Sequence, residues 1–421
     1  MIPLPDVLTA TPDSLTPRWR DGGDRLLQRL AQLHLTPEQL LFPQTPEALE
    51  AIARHCYTHG QTYRPCGAGT KLPWGGEGAP LDYLVSTAAL NGIIDHAVGD
   101  LTITVAAGAT LAAVQNHLAL NGQFLPLDPS YPQTATLGGI VATGDAGSWR
   151  HRYGGLRDLL LGISFVRADG TAAKAGGRVV KNVAGYDLMK LLTGSFGTLA
   201  TITALTFRTY PKPAMGTTQI YTGSLAAIAA ASGPLLKIAP VRWDLCNREL
   251  LKQWDLRGEL GMILEFAGMP ATVKMQQDQG GAIAQQAGLK VISPGNHLWA
   301  RVGDQLRPGD GAMIGRFGVS PAALGEILTT VPPGIVALGH RQSGLGQFCY
   351  TRPPRLDQLR RFRRRCEQNQ GFLTLLTAPP EIKAQFEPWG YPGNALGLMR
   401  AVKAQFDPQN LLSPGCFVGG I

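Results

Sequence analysis

No two cysteines in this chain are spaced as CxxC, and no run approaches the roughly 20 uncharged apolar residues that a membrane-spanning helix needs. The six cysteines (Cys56, Cys66, Cys246, Cys349, Cys366 and Cys416) are scattered, so close-set zinc or iron–sulfur ligands are excluded, reduced thiols are expected and no metal is expected. The first twenty residues, MIPLPDVLTATPDSLTPRWR, have neither a basic start nor an apolar core, which predicts a cytoplasmic protein. Aromatic residues are sparse, and they do not interleave with the basic ones as a base-stacking surface would require. Nucleic acid is therefore not an expected partner, despite a net charge of +8. Part of that charge is local: residues 352–365, RPPRLDQLRRFRRR, carry seven arginines against one aspartate. Leu356, Leu359, Phe362 and Cys366 would form the apolar stripe of a helix there, with arginines around it. Its basic face is either solvated or a docking surface for an acidic partner.

With 44% hydrophobic and 16% charged residues over 421 positions, the chain can bury large cores in two or three domains. Glycine and proline recur as turn punctuation between apolar runs rather than as disordered tracts. Thr45 and Pro46 open a helix that Gly60 closes, with Leu49, Ile52, Ala53 and Cys56 on one face. Leu101, Ile103 and Val105 alternate with threonines as a half-buried strand, and Thr110 caps a helix that ends near Gly122. Strands are expected at GISFVRADG and GGRVVKN, and a short helix at DLMKLLTG. Pro211 and Pro213 mark a domain exit. The pattern predicts an α+β fold, divided into a helical lead-in at 1–34, a first domain at 35–212 and a second at 213–421.

The most informative stretch is PCGAGTKLPWGG, residues 65–76: four glycines, one lysine and no carboxylate. Glycine lets backbone N–H groups converge on an anion, so a phosphate is the expected ligand. A Walker A loop is excluded, because Lys71 follows Thr70 with no hydroxyl behind it. The dinucleotide fingerprint also fails, since Leu72 stands where the third glycine belongs and Pro73 blocks a helix. Alone, the stretch is equally compatible with a structural turn. Two further loops change the balance: TATLGGIVATG at 134–144 and GSFGTLATI at 194–202. Three such loops could line one long, diphosphate-containing ligand.

Five ordered stretches within 35–212 (YRPCGAGTKLPWGG, DYLVSTAALNGIIDHAVGDLTITVAAGATLAAVQ, PLDPSYPQTATLGGIVATGDAG, RYGGLRDLLLGISFVRADG and GGRVVKNVAGYDLMKLLTGSFGTLATITALTFRTYP) resemble the FAD-binding domain of the vanillyl-alcohol-oxidase (PCMH) type. The resemblance implies two α+β subdomains holding FAD, followed by an α+β cap and carboxy-terminal domain. It implies a pyrophosphate cradle at Pro65, Cys66, Gly67, Ala68, Gly69, Thr70 and Lys71. A second flavin loop is implied at Asp128, Thr134, Thr136, Leu137, Gly138 and Gly139, with Thr143 and Gly144 beyond. The third comprises Phe196, Gly197, Thr198, Leu199 and Ile202. Relatives commonly have glutamate where Phe196 stands, which removes one polar contact. Thr70 occupies the place of the histidine that covalently flavinylated relatives use, so the FAD is expected to be noncovalent.

Within that family, KNVAGYD (Lys181–Asp187) and the ending MRAVKAQFDPQNLLSPG look most like the FAD-binding E subunit of bacterial glycolate oxidase. Stand-alone 2-hydroxyacid dehydrogenases carry a histidine cluster in the second half. This chain has only His297 and His340 there. The resemblance thus implies a flavin-carrying subunit taking part in glycolate oxidation, partnered by a larger homologous FAD subunit and an iron–sulfur subunit. Membrane association through that complex is left open. The alternatives are a self-sufficient FAD dehydrogenase of another small 2-hydroxy acid, such as D-lactate, and a non-catalytic scaffold. Oxidising a 2-hydroxy acid needs a base and a carboxylate-binding cation. His340 with Arg341, and Arg152 with Tyr153, are the local base-plus-cation candidates.

Overall fold

The computed structural model describes residues 33–36, 39–178, 185–295, 298–307, 309, 312–350, 355–391 and 393–421. The helical lead-in expected at 1–34, all but its last two residues, lies outside them. So do Lys181–Ala184 of the KNVAGYD motif, His297, and Arg352 of the arginine run.

The chain divides into two compact units. The first comprises residues up to 147, 154–212 and 393–421; the second comprises 148–153 and 213–392. Two segments thus depart from a single cut at 212: a six-residue excursion at 148–153, and the final 29 residues, which return to the first unit.

In the first unit, strand Tyr83–Ser86 lies between Leu40–Leu41 and Tyr63–Cys66 in a parallel sheet, with Tyr63 opposite Tyr83 and Cys66 opposite Ser86. The helix Pro46–His59 packs Leu49, Ile52, Ala53 and Cys56 on this sheet's Tyr63 and Val85. Its start is set as the sequence predicts: Thr45 Oγ1 accepts from Ala48 N at 3.2 Å. Gly60 ends it at φ 64°, a left-handed turn that glycine adopts without a Cβ penalty. A five-stranded antiparallel sheet follows, in the order Ile93–Ala97, Thr102–Ala106, Thr201–Arg208, Leu160–Val166, Ala172–Gly176. Ile103 and Val105 are fully buried, whereas Leu101 turns left-handed (φ 53°) just before its strand. The helix capped by Thr110 ends at Ala119, and the chain reverses at Gly122. A strand also forms at Ala172–Gly176, while residues 179–182 of the GGRVVKN stretch lie outside the described residues.

The second unit is one eight-stranded antiparallel sheet, in the order Lys290–Ile292, Met215–Gly223, Leu260–Gly268, Arg242–Asn247, Ile335–His340, Leu345–Tyr350, Met313–Gly318, Phe372–Thr377. Strand alternation divides its side chains between two faces. One face, including Trp243, Leu245, Leu264, Phe317 and Phe348, packs on helices Leu225–Lys237, Pro270–Gln286, Leu324–Thr329 and Leu356–Gln368. On the other face Ile263, Val336 and Leu338 meet Leu298, Val302 and Leu306. Arg242 and Asp244 alternate with Trp243 and Leu245 on their strand, so this second face also carries charge.

The arginine-rich segment is the expected helix, Leu356–Gln368, and it buries Leu359, Phe362 and Cys366. Its arginines are mostly engaged within the chain. Arg363 stacks over Phe386 at 3.7 Å and donates to Glu387 O at 2.6 Å. Burial pulls its pKa down to about 10. Arg361 pairs with Asp357, while Arg360 and Arg365 donate to the carbonyls of Gln385 and Thr330. Arg363 is half-buried and its guanidinium needs these acceptors, whereas Arg355, Arg360, Arg361, Arg364 and Arg365 are exposed.

Candidate functional site

The three glycine-rich loops meet in the first unit around a cleft. Pro65, Cys66, Gly67, Ala68, Gly69, Thr70 and Lys71 all line it. From the second loop come Thr136, Gly138, Gly139 and Thr143, and from the third Phe196, Gly197 and Ile202. Six expected residues do not line the cleft. Thr134 is exposed, Leu137 is fully buried and Thr198 turns its hydroxyl onto Ser195 O. Asp128 packs where a Cβ on Gly147 would fall, and Gly144 makes a left-handed turn at φ 59°. Leu199 is almost completely buried.

The glycines are required by close approach. A Cβ on Gly67 would overlap Thr136 Oγ1, the atom that caps the helix Leu137–Ala142 by accepting from Gly139 N. A Cβ on Gly138 would stand 2.9 Å from that of Ala107. At both positions the glycine backbone lies directly against a neighbour, Gly67 against the Thr136 side chain of the second loop and Gly138 against Ala107, which leaves no room for a side chain.

Charge is the second property of the cleft. Among the described residues its walls carry two buried cations, Arg64 and Lys71, and no carboxylate. Lys71 is compensated from behind: its ammonium lies 3.0 Å from Asp145 Oδ2, which also accepts from Ser130 N at 2.8 Å. The acid missing from the first loop is thus supplied by the second. Arg64 touches Cys416 Sγ, its Nε is buried without a hydrogen-bond partner, and no carboxylate pairs with it among the described residues. Sequence reasoning missed Arg64. The signal was strand alternation, which turns Arg64 away from the core residue Tyr63. Burial holds the Cys66 thiol near a pKa of about 12, so it stays protonated. An acid-free cleft with buried cations and glycine-thinned walls fits an anionic diphosphate.

The catalytic candidates lie in the second unit. His340 Nδ1 is 2.7 Å from Asp244 Oδ1, facing it across paired strands, and both residues are buried. Because a carboxylate can only accept, Nδ1 carries the hydrogen and Nε2 is left as the basic nitrogen. Ser148 donates to the other oxygen, Asp244 Oδ2. Arg341 does not join this group; its Nη1 donates to Pro321 O at 2.9 Å. Arg152 is exposed and Tyr153 packs edge-on against Trp149 at 5.5 Å. Both proposed base-plus-cation pairs therefore come apart, because successive residues point to different sides. Their segment nevertheless contributes through Ser148 and His151. His151 packs 5.8 Å from Trp243, its Nδ1 is buried without a partner, and burial lowers its pKa below the usual histidine value. Beside it Arg242 is stacked between Trp149 (4.0 Å) and Trp299 (4.5 Å) and paired with Glu265 at 3.1 Å.

Residues 37–176 match the family model of an FAD binding domain, over the segment that builds most of the cleft. The cofactor is FAD. Over most of its length the chain is similar to the glycolate oxidase subunit GlcD of Bacillus subtilis. The two are 25% identical, over 91% of this chain and 89% of the relative. It is also similar to the probable mitochondrial D-lactate dehydrogenase of Danio rerio, at 27% identity over 90% and 84%. Similarity to glycolate oxidase subunit GlcE of Escherichia coli is higher, 40%, but spans only 29% of this chain and 35% of that one. Among solved structures, an alkyldihydroxyacetonephosphate synthase superposes with a TM-score of 0.64 over 89% of this chain and 76% of its own, at 14% identity. That likeness shows the fold, and the α+β expectation holds.

Proposed function

We propose that this protein is an FAD-dependent oxidoreductase acting on the CH–OH group of a small 2-hydroxy acid, and that it works as the flavin-carrying subunit of a glycolate-oxidising complex. The observation that carries the reading is the acid-free cleft of the FAD binding domain, walled by glycine backbone and by buried Arg64 and Lys71. The substrate class comes from the relatives, whose names specify glycolate, D-lactate and D-2-hydroxyglutarate. When bound, FAD supplies a two-electron acceptor for the hydride of the substrate's C–H bond. The three loops hold it noncovalently, because Thr70 offers no ring nitrogen for attachment. Arg64 and Lys71 balance its diphosphate charge. In the second unit His340 is the base candidate: Nε2 is its proton-accepting nitrogen, and Asp244 fixes the tautomer and would stabilise an imidazolium.

A second reading, a self-sufficient dehydrogenase of D-lactate, draws support from the length of the GlcD and D-lactate dehydrogenase similarities against the short GlcE one. Anaerobic reduction separates the two. The purified chain is mixed with glycolate or D-lactate, alone and with the larger flavin and iron–sulfur subunits, and its 450 nm band is followed. Bleaching that requires the partners supports the subunit reading; bleaching of the chain alone selects the self-sufficient one. A colourless chain that takes up no added FAD overturns both. Acid precipitation should leave the yellow colour in the supernatant, and flavin retained in the pellet would refute the noncovalent assignment.

A further inference from the structure

We propose that the carboxy-terminal segment, residues 393–421, is a working part of the cofactor site, with Lys403 as the positioning residue that sets the third loop. The proposal rests on reading the cleft as the FAD site. The matched FAD binding domain ends at residue 176, yet the cleft's third loop begins only at Gly194, and one wall residue, Cys416, comes from the end of the chain. After the second unit the chain returns to the first and forms the helix Leu396–Phe406.

Lys403, on that helix, is buried, and its ammonium donates three hydrogen bonds: to Thr198 O at 2.8 Å, Leu412 O at 2.9 Å and Asp407 Oδ2 at 2.6 Å. An ammonium has three donors, so all are used. Asp407 is fully buried and also accepts from the backbone N–H groups of Leu411 and Leu412. A buried charge so completely satisfied permits little displacement, and one of its acceptors belongs to the third loop. Desolvation pulls the lysine pKa down, and Asp407 opposes that shift.

Ser413 continues the clasp. Its N–H donates to Tyr63 O in the strand leading into the first loop, and its hydroxyl donates to Gly197 O in the third. Beyond it, Cys416 O accepts from Gly76 N, Pro414 O accepts from Ala79 N, and Cys416 Sγ rests on Arg64. The segment thus holds the first and third loops at a fixed separation. The third loop needs such support, because Phe196 and Gly197 are both left-handed, at φ 55° and 73°. A Cβ on Gly197 would stand 2.8 Å from Pro65 of the first loop.

The test uses the full chain, stripped of flavin, with Lys403→Met and Ser413→Ala. Thermal midpoints are measured with and without added FAD, and FAD affinity by fluorescence titration. Binding to the native state alone raises the midpoint in proportion to the logarithm of ligand over Kd, so the FAD-dependent rise reports the site rather than the scaffold. In Lys403→Met the rise should shrink and Kd should weaken about tenfold or more. In Ser413→Ala the flavin-free midpoint should fall only modestly, the effect of one lost hydrogen bond, while Kd weakens by about threefold. Midpoints that fall in parallel, with Kd unchanged, would show a purely structural role and overturn the proposal. If Lys403→Met cannot be recovered folded, an unchanged Kd in Ser413→Ala overturns it instead. Wild-type chain that shows no FAD-dependent rise defeats the underlying reading of the cleft as well.

Discussion

The cleft of the first unit and the polar face of the second handle charge by opposite means. In the cleft, backbone does most of the work: glycines lie at contact distance from their neighbours, and among the described residues no carboxylate pairs with Arg64. On the sheet of the second unit, side chains do the work and are matched in pairs, His340 and Ser148 on Asp244, and Arg242 on Glu265. A site left with surplus positive charge is built to receive an anion. A site whose charges are already satisfied is built to hold one proton in place. The first kind tolerates no added atoms; the second tolerates no removed partner.

Breaking the second kind should give the largest loss of turnover that leaves FAD bound. Asp244→Asn turns one acceptor oxygen into an NH₂ donor and removes the charge that holds the His340 tautomer, and turnover should fall by about 10²–10⁴, the usual share of general base catalysis, with FAD content unchanged. Stopped-flow reduction of the flavin checks this, and an unaltered reduction rate would remove His340 from the mechanism. Next is the first kind. Gly67→Ala forces a Cβ onto Thr136 Oγ1, and overpacking of about 1–3 kcal/mol predicts FAD affinity weakened by about 5- to 150-fold. Gly69→Asp, which adds a carboxylate to an acid-free wall, should lose FAD altogether.

The arginine helix sharpens the contrast at smaller scale. Arg363→Met exchanges a half-buried, hydrogen-bonded cation for an apolar chain and should cost about 1–3 kcal/mol in urea unfolding, because the Glu387 carbonyl loses its donor. Arg364 is exposed, and no internal partner is recorded for it among the described residues. Arg364→Gln should therefore change stability by less than about 0.5 kcal/mol. If an acidic subunit docks here, the same change should weaken assembly at low salt.

The mildest prediction concerns pH. His151 has a folded pKa below its unfolded value because burial disfavours its charged form. The unfolded chain therefore binds the proton more readily, and stability is lost as pH falls through the unfolded pKa of about 6.5. The thermal midpoint should decline between pH 7 and 5, and His151→Gln should flatten that decline. A variant with the wild-type slope would show that the imidazole is not protected in the folded state.

The sequence by itself determined the elements whose causes are local. Thr45, Thr110 and Gly60 act within a turn of their own helices, and each glycine loop announces backbone recognition within a dozen residues. The loops by themselves pointed to a diphosphate-containing ligand; the cofactor class and the fold followed from the resemblance of the stretches that carry them to an FAD-binding domain. What only the tertiary structure decided depends on strand order and chain return. Asp145 reaches Lys71 from another loop, and Asp244 meets His340 because their strands are neighbours in an eight-stranded sheet. Lys403 reaches Thr198 because the last 29 residues leave the second unit for the first. Local conformation is written in neighbouring residues. A buried charge must instead find its partner wherever the packed chain delivers one, since leaving it unpaired costs several kcal/mol, on the order of 3–5, and no periodicity records that delivery.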